Sequence, residues 1–282
     1  MRLFNGKKEA GKILLDLKKR ISQEKLKPKL AAVLVGEDKA SKLYLKLKRK
    51  AAKDIGIKLV LYKFKEAEEE EKIIQKIKTL NNNSSIHGII VQLPLPKKFN
   101  QNKIVKLINP QKDVDGFQNN SWFSPVLPSA ILFALKKATK LFKKKKVMAL
   151  VNSKIFGQRL KSFLKKEGIE SGYILREKPS FSSFLLTEAR RLKRADIIIT
   201  VLGCPNAIWG EMIKKGTVLI DAGISKITAK KVVGDINKES VKEKAAFLTP
   251  VPGGLGPLTV ALLLKNTYLS AKNYGKHSQN GR

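Results

Sequence analysis

KLAAVLVGEDKASKLYLKLKRKAAKDIG, residues 29–56, joins a continuously apolar segment to one in which apolar residues recur every three or four positions. The apolar segment, Lys29–Val35, predicts a buried strand. The segment that follows predicts an amphipathic helix from about Asp38 to Ile55, and Gly56 ends it. Because strand–helix repeats build parallel sheets, this stretch predicts an α/β fold.

The alternation continues on both sides of a break near the middle of the chain. Before the break, strands are predicted at Lys58–Phe64 and Gly88–Leu93, and helices at Glu66–Leu80 and Asn100–Ile108. The break, INPQKDVDGFQNNSWFSP at residues 108–125, is rich in turn formers and indicates a domain boundary. After it, helices are predicted at 128–142, 157–167 and 182–193, and strands at 147–151, 172–175, 196–202 and 217–223, with a further helix between the last two strands.

Repeated strand–helix units imply parallel strands joined by right-handed crossovers. We therefore expect two α/β domains with a ligand cleft between them. Residues 1–126 form the first domain, which is completed by the C-terminal segment 257–282. Residues 127–256 form a doubly wound, Rossmann-like domain that binds a nucleotide. In the C-terminal segment, Leu258–Lys272 is predicted as a helix and Asn273–Arg282 as a frayed tail.

The chain is strongly basic, with 58 Lys and Arg against 23 Asp and Glu and a formal net charge of +35. Such an excess commonly indicates binding to nucleic acid or an anionic membrane. Here only 9 of the basic residues are Arg, the side chain that reads bases and phosphates bidentately, and the lysines are spread along the whole chain. Nucleic acid is therefore disfavoured as a partner. A compositional bias towards Lys and a field that attracts small polyanionic ligands both remain open.

Simple counts exclude other classes of protein. Cys204 is the only cysteine, so the chain has no disulfide scaffold. No apolar run approaches the roughly 20 residues that cross a bilayer. The basic start of the chain includes Glu9 and Asp16, which is typical of an ordinary first helix and not of a targeting sequence. We expect a cytoplasmic protein with no membrane partner and no metal site.

Polar residues follow the first predicted strand, where ligand sites of parallel sheets form. They are Ser41, Tyr44 and Lys48, and the last two share a helical face because they are four residues apart. Leu43, Leu47 and Ala51 lie on the adjacent stripe and are expected to hold that face against the core. A phenol beside an amine whose pKa is lowered in a dry site is suited to acid–base chemistry. A solvated lysine is the alternative in a chain with 49 lysines.

Three further polar residues are candidates in the first half. Gln92 closes the third predicted strand, where either the backbone or a ligand supplies its hydrogen bonds. Asp113 and Asp115 lie in the break before Gly116, and Asp also favours turns, so a local role competes with a functional one.

The second half has two glycine-containing segments. VNSKIFGQ at 151–158 holds one glycine, Gly157, and matches the dinucleotide fingerprint GxGxxG poorly. PVPGGLGPLT at 250–259 is rigid and opens a helix, so its backbone N–H groups are candidates for contact with an anion or a carbonyl.

Six segments of the chain, taken together and in this order, match the pattern of one protein family. They are VGEDKASKLYLKLKRKAAKDIGI, EKIIQKIKTLNNNSSIHGIIVQLPLP, KDVDGF, ADIIITVLGCP, GTVLIDAGIS and PGGLGPLTVALLLKNT. Together these segments resemble the methylenetetrahydrofolate dehydrogenase/methenyltetrahydrofolate cyclohydrolase family over nearly the whole chain. The resemblance implies a homodimeric, bifunctional enzyme of one-carbon metabolism. Such an enzyme oxidises methylene-tetrahydrofolate to methenyl-tetrahydrofolate with NADP, or with NAD, and hydrolyses the product to formyl-tetrahydrofolate. Its partners are tetrahydrofolate derivatives, including polyglutamylated ones whose anionic tails the lysines would attract.

The resemblance also implies roles for individual residues. Lys48 is implied as the catalytic amine, Tyr44 as a stacking partner of the folate, Gln92 as the residue that maintains the protonation state of Lys48, and Asp115 as the anchor of the pterin ring. Further substrate-binding residues are implied at Val91, Leu93, Pro252, Gly253, Gly254, Gly256, Pro257 and Thr259. Nucleotide-binding residues are implied at Val151, Asn152, Ser153, Gly157 and Ile224.

Departures from the family pattern concentrate in the nucleotide half. Val151 and Asn152 replace a Gly-Arg pair, which removes a close backbone approach and an arginine that recognises the 2′-phosphate. Arg159 is a candidate replacement, and Arg176 stands near a missing His-Ser pair. Two alternatives therefore stay open: a monofunctional cyclohydrolase with a degenerate cofactor site and, from a different class, a basic nucleic-acid-binding protein without catalysis.

Overall fold

The computed structural model describes residues 1–139, 145–176, 188–228 and 231–279. The chain divides into two compact units. The first unit is Glu9–Val126 with Thr259–Arg282, and the second unit is Met1–Lys8 with Leu127–Leu258. Within the described ranges, no helix is long and apolar enough to cross a membrane.

Helices and strands alternate along both units. The helices are α1 Gly6–Gln23, α2 Lys39–Asp54, α3 Glu70–Asn82, α4 Gln101–Lys106, α5 Val126–Ala138, α6 Lys154–Lys166, α7 at residues 188–193, α8 Lys238–Val241 and α9 Leu255–Gln279, with a 3₁₀ turn at Gly210–Met212. The strands are β1 Arg2–Leu3, β2 Lys29–Val35, β3 Lys58–Phe64, β4 Gly88–Val91, β5 Val147–Val151, β6 Ser171–Leu175, β7 Ile197–Val201, β8 Thr217–Asp221, β9 Ser225–Lys226, β10 Val232–Val233 and β11 Ala245–Leu248.

The first unit contains a three-stranded parallel sheet in the order β3-β2-β4. The central strand β2 is covered on both faces, since Leu30 and Leu34 belong to one apolar cluster and Ala31 and Val33 to another. A strand buried on both faces needs a continuous apolar run, which is the pattern seen in its sequence. Because Val33 pairs with Val91, the carboxyl ends of β2 and β4 lie side by side.

The second unit contains a six-stranded parallel sheet in the order β1-β11-β8-β7-β5-β6. Chain order reverses at β5, because β6 lies on one side of it and β7 on the other. In open parallel sheets such a switch point forms a crevice at the carboxyl ends of the strands, where ligands bind. The predicted α/β class with a Rossmann-like second part is confirmed.

Several boundaries differ from the sequence-based expectations. Residues 1–8, expected in the first domain, group with the second unit because Arg2–Leu3 pairs with Phe247–Leu248. The expected tail from Asn273 is instead a continuation of α9 to Gln279, and the helix expected between β7 and β8 is only a 3₁₀ turn. Parts of two expected helices, 140–142 and 182–187, lie outside the described residues.

Candidate active site

Helix α2 carries two of the predicted site residues on one face. Asp38 caps the helix by accepting a hydrogen bond from the Ser41 backbone N–H at 2.6 Å. Tyr44 and Lys48 are half-buried. Leu45, which is 3% exposed, holds the helix against the core of the first unit.

Of the three residues expected to hold this face, Ala51 packs against the core, but the expectation was wrong for Leu43 and Leu47. They are 41% and 49% exposed, because they lie on the outer side of the helix. The residues that anchor α2 are instead Leu45 and Ala52, which are seven residues apart and therefore lie on one stripe two turns long.

Gln92 meets Lys48 at the carboxyl end of β4. The Lys48 Nζ donates a hydrogen bond to the Gln92 Oε1 at 3.0 Å. The Gln92 amide nitrogen Nε2 donates to the carbonyl of Leu93 at 2.9 Å, and the Gln92 backbone N–H donates to Val33 at 2.9 Å. These bonds hold the side-chain oxygen towards the amine, so Gln92 positions Lys48 through contacts that do not depend on a ligand.

Asp115 completes the cluster and sets its electrostatics. Burial lowers the pKa of Lys48, and the negative charge of Asp115 opposes that shift. Burial also raises the pKa of Asp115, an effect that Lys48 opposes and Asp113 reinforces. An amine and a carboxyl that both lose water bring their proton affinities closer together, which favours proton transfer near neutral pH.

Tyr44 is affected by the same burial, which raises the pKa of its phenol. The phenol therefore stays protonated and acts as a neutral hydrogen-bond donor with an aromatic face. Such a ring is suited to stacking on a flat heterocycle.

Ser41 is a further site candidate. The sequence places it near the end of the strand but assigns it no role. It is 3% exposed, and its hydroxyl has no hydrogen-bond partner among the described residues. A buried hydroxyl without a partner is costly, so such groups commonly bond to a ligand or water. Its spacing from Tyr44 and Lys48, three and seven residues, is the signal that puts all three on one face of α2.

The remaining predicted substrate residues divide between the two units. Val91, Leu93 and Thr259 belong to the first unit, where Val91 is buried in β4 and Leu93 is half-buried just after it. Those of the second unit are Pro252, Gly253, Gly254, Gly256 and Pro257. Their role in binding substrate stays a prediction.

The glycines of the Pro250–Gly254 segment permit a close backbone approach within the second unit. Gly6 donates its N–H to the carbonyl of Gly253 at 3.0 Å, and a Cβ on Gly6 would lie 1.7 Å from the Gly254 oxygen. Gly253 has φ of +103°, which favours glycine. Helix α9 begins directly afterwards, at Leu255 and not at the expected Leu258, so Gly256 and Pro257 lie in its first turn.

The predicted nucleotide residues lie at the switch point of the second unit. Val151 is the buried end of β5, and Ser153 caps α6 by accepting a hydrogen bond from the Phe156 N–H at 3.3 Å. Helix α6 therefore begins at Lys154, one turn before the expected start at Gly157. Gly157 is buried against β6, where an added Cβ would lie 2.7 Å from the ring of Tyr173.

Asn152 and Arg176 converge on the loop after β7. The Asn152 Nδ2 donates to the carbonyl of Leu202 at 3.0 Å, and the Arg176 guanidinium donates to the same oxygen at 3.3 Å and contacts the Cys204 sulfur. Ile224, just after β8, is 41% exposed. The switch point, the capped helix start and the close helix–strand approach at Gly157 fit a dinucleotide.

Two buried carboxylates brace the same end of the second sheet. Asp221 and Asp235 are 2% and 0% exposed. Asp235 accepts hydrogen bonds from the backbone N–H groups of Leu202 at 2.7 Å and Cys204 at 2.8 Å. Burial, with Asp235 nearby, raises the pKa of Asp221 to about 7.

Asp221 is expected to make stability fall as pH rises. Its pKa is about 7 in the folded chain against 3.8 for an ordinary aspartate, so the folded state holds the extra proton between these values. The unfolding free energy of the wild type, relative to Asp221→Asn, should therefore fall by about 3 kcal/mol between about pH 5 and about pH 8. Denaturant unfolding at both pH values measures this, and a pH-independent difference contradicts it.

Fold and site together define a class of two-domain α/β enzymes, with a dinucleotide-type sheet in one unit and a half-buried lysine–glutamine–aspartate cluster in the other. Residues 4–115 match the family model of the tetrahydrofolate dehydrogenase/cyclohydrolase catalytic domain, and residues 125–275 match that of the NAD(P)-binding domain. The chain belongs to the tetrahydrofolate dehydrogenase/cyclohydrolase family.

Relatives span the chain from end to end. The bifunctional protein FolD of Nautilia profundicola is 38% identical over 98% of this chain and 99% of its own length. The crystal structure of the bifunctional FolD of Campylobacter jejuni is 34% identical with a TM-score of 0.86, covering 97% of this chain and 99% of that one. The Trypanosoma brucei enzyme, solved with NADP and an inhibitor, is 28% identical with a TM-score of 0.87 and covers 96% and 97%.

Proposed function

We propose that this protein oxidises methylene-tetrahydrofolate with NADP and hydrolyses the resulting methenyl-tetrahydrofolate to formyl-tetrahydrofolate, with Lys48 as the proton-transfer group of the hydrolysis. The observation that carries the assignment of Lys48 is its 3.0 Å hydrogen bond to a Gln92 that is itself held by the backbone. Full-length similarity to bifunctional relatives supports both activities.

The hydrolysis needs a group that accepts one proton and returns another. Water adds to the methenyl carbon and loses a proton, and the ring then opens as a carbon–nitrogen bond breaks and the nitrogen takes up a proton. Because burial lowers the pKa of Lys48, a larger fraction of its amine is neutral at neutral pH than in an ordinary lysine, and only the neutral amine can accept the first proton. Asp115 is then placed to bind the donor groups of the pterin, and Tyr44 to stack on it.

The oxidation needs positioning more than acid–base help. NADP supplies the acceptor for the hydride. Residues of the second unit that would hold it are Asn152 and Ser153 after β5, together with Gly157, whose lack of a side chain lets α6 pack closely on β6. The first unit orients the folate through Tyr44 and Asp115.

Purified protein should oxidise methylene-tetrahydrofolate in the presence of NADP, followed by the absorbance of the reduced nucleotide. Hydrolysis of methenyl-tetrahydrofolate is followed separately, without nucleotide. Turnover in both assays supports the bifunctional assignment. Hydrolysis without oxidation, with NADP and NAD offered separately, would instead establish the monofunctional cyclohydrolase, and neither activity would overturn the proposal.

We also infer a homodimer and a preference for polyglutamylated folates. The homodimer follows from the family resemblance. The formal net charge of +35 supports the attraction of anionic glutamate tails, because a positive field raises the local concentration of a polyanionic substrate.

A further inference from the structure

We propose that Lys112 and Asp113 are positioning residues that hold Asp115 opposite Lys48. The inference rests on the proposed function of the Lys48 site and extends it to two residues that need not touch substrate. Both are fully buried, at 1% and 0% exposure. A buried charge is retained only where it is paired or hydrogen-bonded, so the partners of these two groups indicate what they do.

Lys112 ties the Asp115 loop to helix α3. Its ammonium donates hydrogen bonds to the carbonyls of Leu80 at 3.1 Å, Asn81 at 2.7 Å and Asn83 at 2.8 Å, at the C-terminal end of α3. Carbonyls at the end of a helix lack partners within it, and a cation there also interacts favourably with the helix dipole. The ammonium thus fixes residue 112 against a rigid element.

The backbone of Lys112 ties the same point to the sheet. Its carbonyl accepts hydrogen bonds from the N–H groups of Ile89 at 2.8 Å and Val114 at 2.9 Å. Ile89 lies in β4, the strand that leads directly to Gln92. Lys112 therefore links the loop that carries Asp115 to the strand that carries the partner of Lys48.

Asp113 braces the turn around Asp115 from inside. Its carboxylate oxygens accept hydrogen bonds from the N–H groups of Phe117 at 3.1 Å and Gln118 at 2.8 Å. Its own carbonyl accepts from the Gly116 N–H at 3.0 Å and from the Ser121 hydroxyl at 2.9 Å. The buried Asp113 carboxylate therefore closes the turn from residue 113 to residue 118, which contains Asp115.

Asp115 has little freedom within this brace. Its carbonyl accepts a hydrogen bond from the Val126 N–H at 3.1 Å. Gly116, with φ of +68°, packs so closely that a Cβ there would lie 2.6 Å from Pro125. A backbone held in this way preorganises the Asp115 carboxylate for a ligand, and small losses of alignment at such a group reduce turnover strongly.

The brace also places a negative charge beside Asp115. The charged groups that act on Asp115 are Lys48 from α2 and Asp113 from its own loop, and the Lys112 ammonium is in turn near His87. Asp113 reinforces the upward shift of the pKa of Asp115. Removing that charge should lower the pKa of Asp115, which moves the acid side of the pH–rate profile to lower pH.

Asp113→Asn is the main test, because it removes the charge and turns one acceptor into a donor that faces a backbone N–H. We expect hydrolysis of methenyl-tetrahydrofolate to fall about 10- to 100-fold. In the Asp115→Asn background, Asp113→Asn should reduce the rate of hydrolysis little further, because both substitutions act on the same group. The acid limb of the pH–rate profile for hydrolysis should shift to lower pH. The KM–kcat split, which is how the loss divides between KM and kcat, should match that of Asp115→Asn.

Asp196→Asn is the matched control. The Asp196 carboxylate also accepts a hydrogen bond from a backbone N–H, that of Lys146 at 2.7 Å, but it belongs to the second unit. If general loosening explained the loss, this variant would reproduce both the loss and its KM–kcat split. Should Asp113→Asn not fold, Ser121→Ala weakens the same brace without removing charge, and a smaller loss with the same KM–kcat split is expected.

The outcomes separate this inference from the function beneath it. Wild-type hydrolysis in both Asp115→Asn and Lys48→Ala would overturn the proposed function of the site. If those two variants are impaired but Asp113→Asn acts additively with Asp115→Asn and leaves the acid limb unmoved, the positioning role is wrong and the site stands.

Discussion

Lys48→Ala should lose about 100- to 10,000-fold in hydrolysis of methenyl-tetrahydrofolate while remaining folded. The amine is the group of the site whose pKa burial lowers, and the 3.0 Å bond to Gln92 fixes its position. Alanine removes the proton acceptor and leaves Asp115 without its opposing charge, and the chain should still fold because the Asp115 side chain is only half-buried. Steady-state rates and an unfolding curve on the same preparation measure both parts of the expectation.

Lys46→Ala provides the control for this change. Lys46 is on the same helix but exposed, so its removal alters net charge and helix propensity equally without touching the cluster. Lys48→Arg adds a second comparison, since a guanidinium keeps the positive charge but does not give up its proton at accessible pH. Arginine should therefore be as inactive as alanine. Activity in either Lys48 variant close to that of Lys46→Ala would show that the amine is not the proton-transfer group.

The fold is visible in the sequence wherever both faces of a strand are buried. β2 is a continuous apolar run because two apolar clusters cover it, and the helix that follows has a clear apolar period. β1 and β11 carry no such signal, because two and four residues are too few to show a period. Their pairing is long-range, which explains why the sequence places residues 1–8 with the first domain whereas in the structure they group with the second unit.

The site is only partly visible in the sequence. The four-residue spacing of Tyr44 and Lys48 predicts a shared face, but 49 lysines make any single one unremarkable. What distinguishes Lys48 is its contact with Gln92, 44 residues away, and with the field of Asp115. Such contacts depend on how strands and loops pack, so local spacing does not reveal them. Family resemblance, which compares the whole pattern at once, is what singles out these residues, and their roles stay a prediction.

The orientation of α2 shows the limit of periodicity most clearly. Leu43 and Leu47 share an apolar stripe four residues long, yet both are exposed, whereas Leu45 and Ala52 face the core. Two apolar stripes compete on this helix, and only packing against the sheet decides between them. The choice has a functional consequence, because it leaves Ser41, Tyr44 and Lys48 together on a half-buried face.

Arg176→Ala should reduce kcat/KM for NADP about 10- to 100-fold and change that for NAD little, the size expected for losing one charge-assisted phosphate contact. Arg176 directly follows β6, and its N–H donates to the carbonyl of Val151 at 2.8 Å. In dinucleotide-binding sheets the corresponding strand end recognises the 2′ position of the ribose, and an arginine there accommodates a 2′-phosphate.

Arg159→Ala distinguishes this position from the other candidate. Arg159 lies in the second turn of α6 and is half-buried, so both variants remove one guanidinium near the same sheet end. Oxidation of methylene-tetrahydrofolate is measured with each nucleotide in turn. If the ratio of kcat/KM with NADP to kcat/KM with NAD falls only in Arg159→Ala, phosphate recognition is assigned to Arg159. Equal losses with both nucleotides in Arg176→Ala would show that its bond to Leu202 supports the loop and not the phosphate.

The same experiment tests how the chain recognises NADP with Asn152 at the position where its family has an arginine. Asn152 and Arg176 both donate to the carbonyl of Leu202, at 3.0 and 3.3 Å, so the two side chains converge on one loop. If the NADP preference depends on Arg176, the cation has moved from the turn after β5 to the end of β6, and Asn152→Arg in the Arg176→Ala background should restore it. Failure of that restoration would mean that the turn after β5 no longer reaches the phosphate.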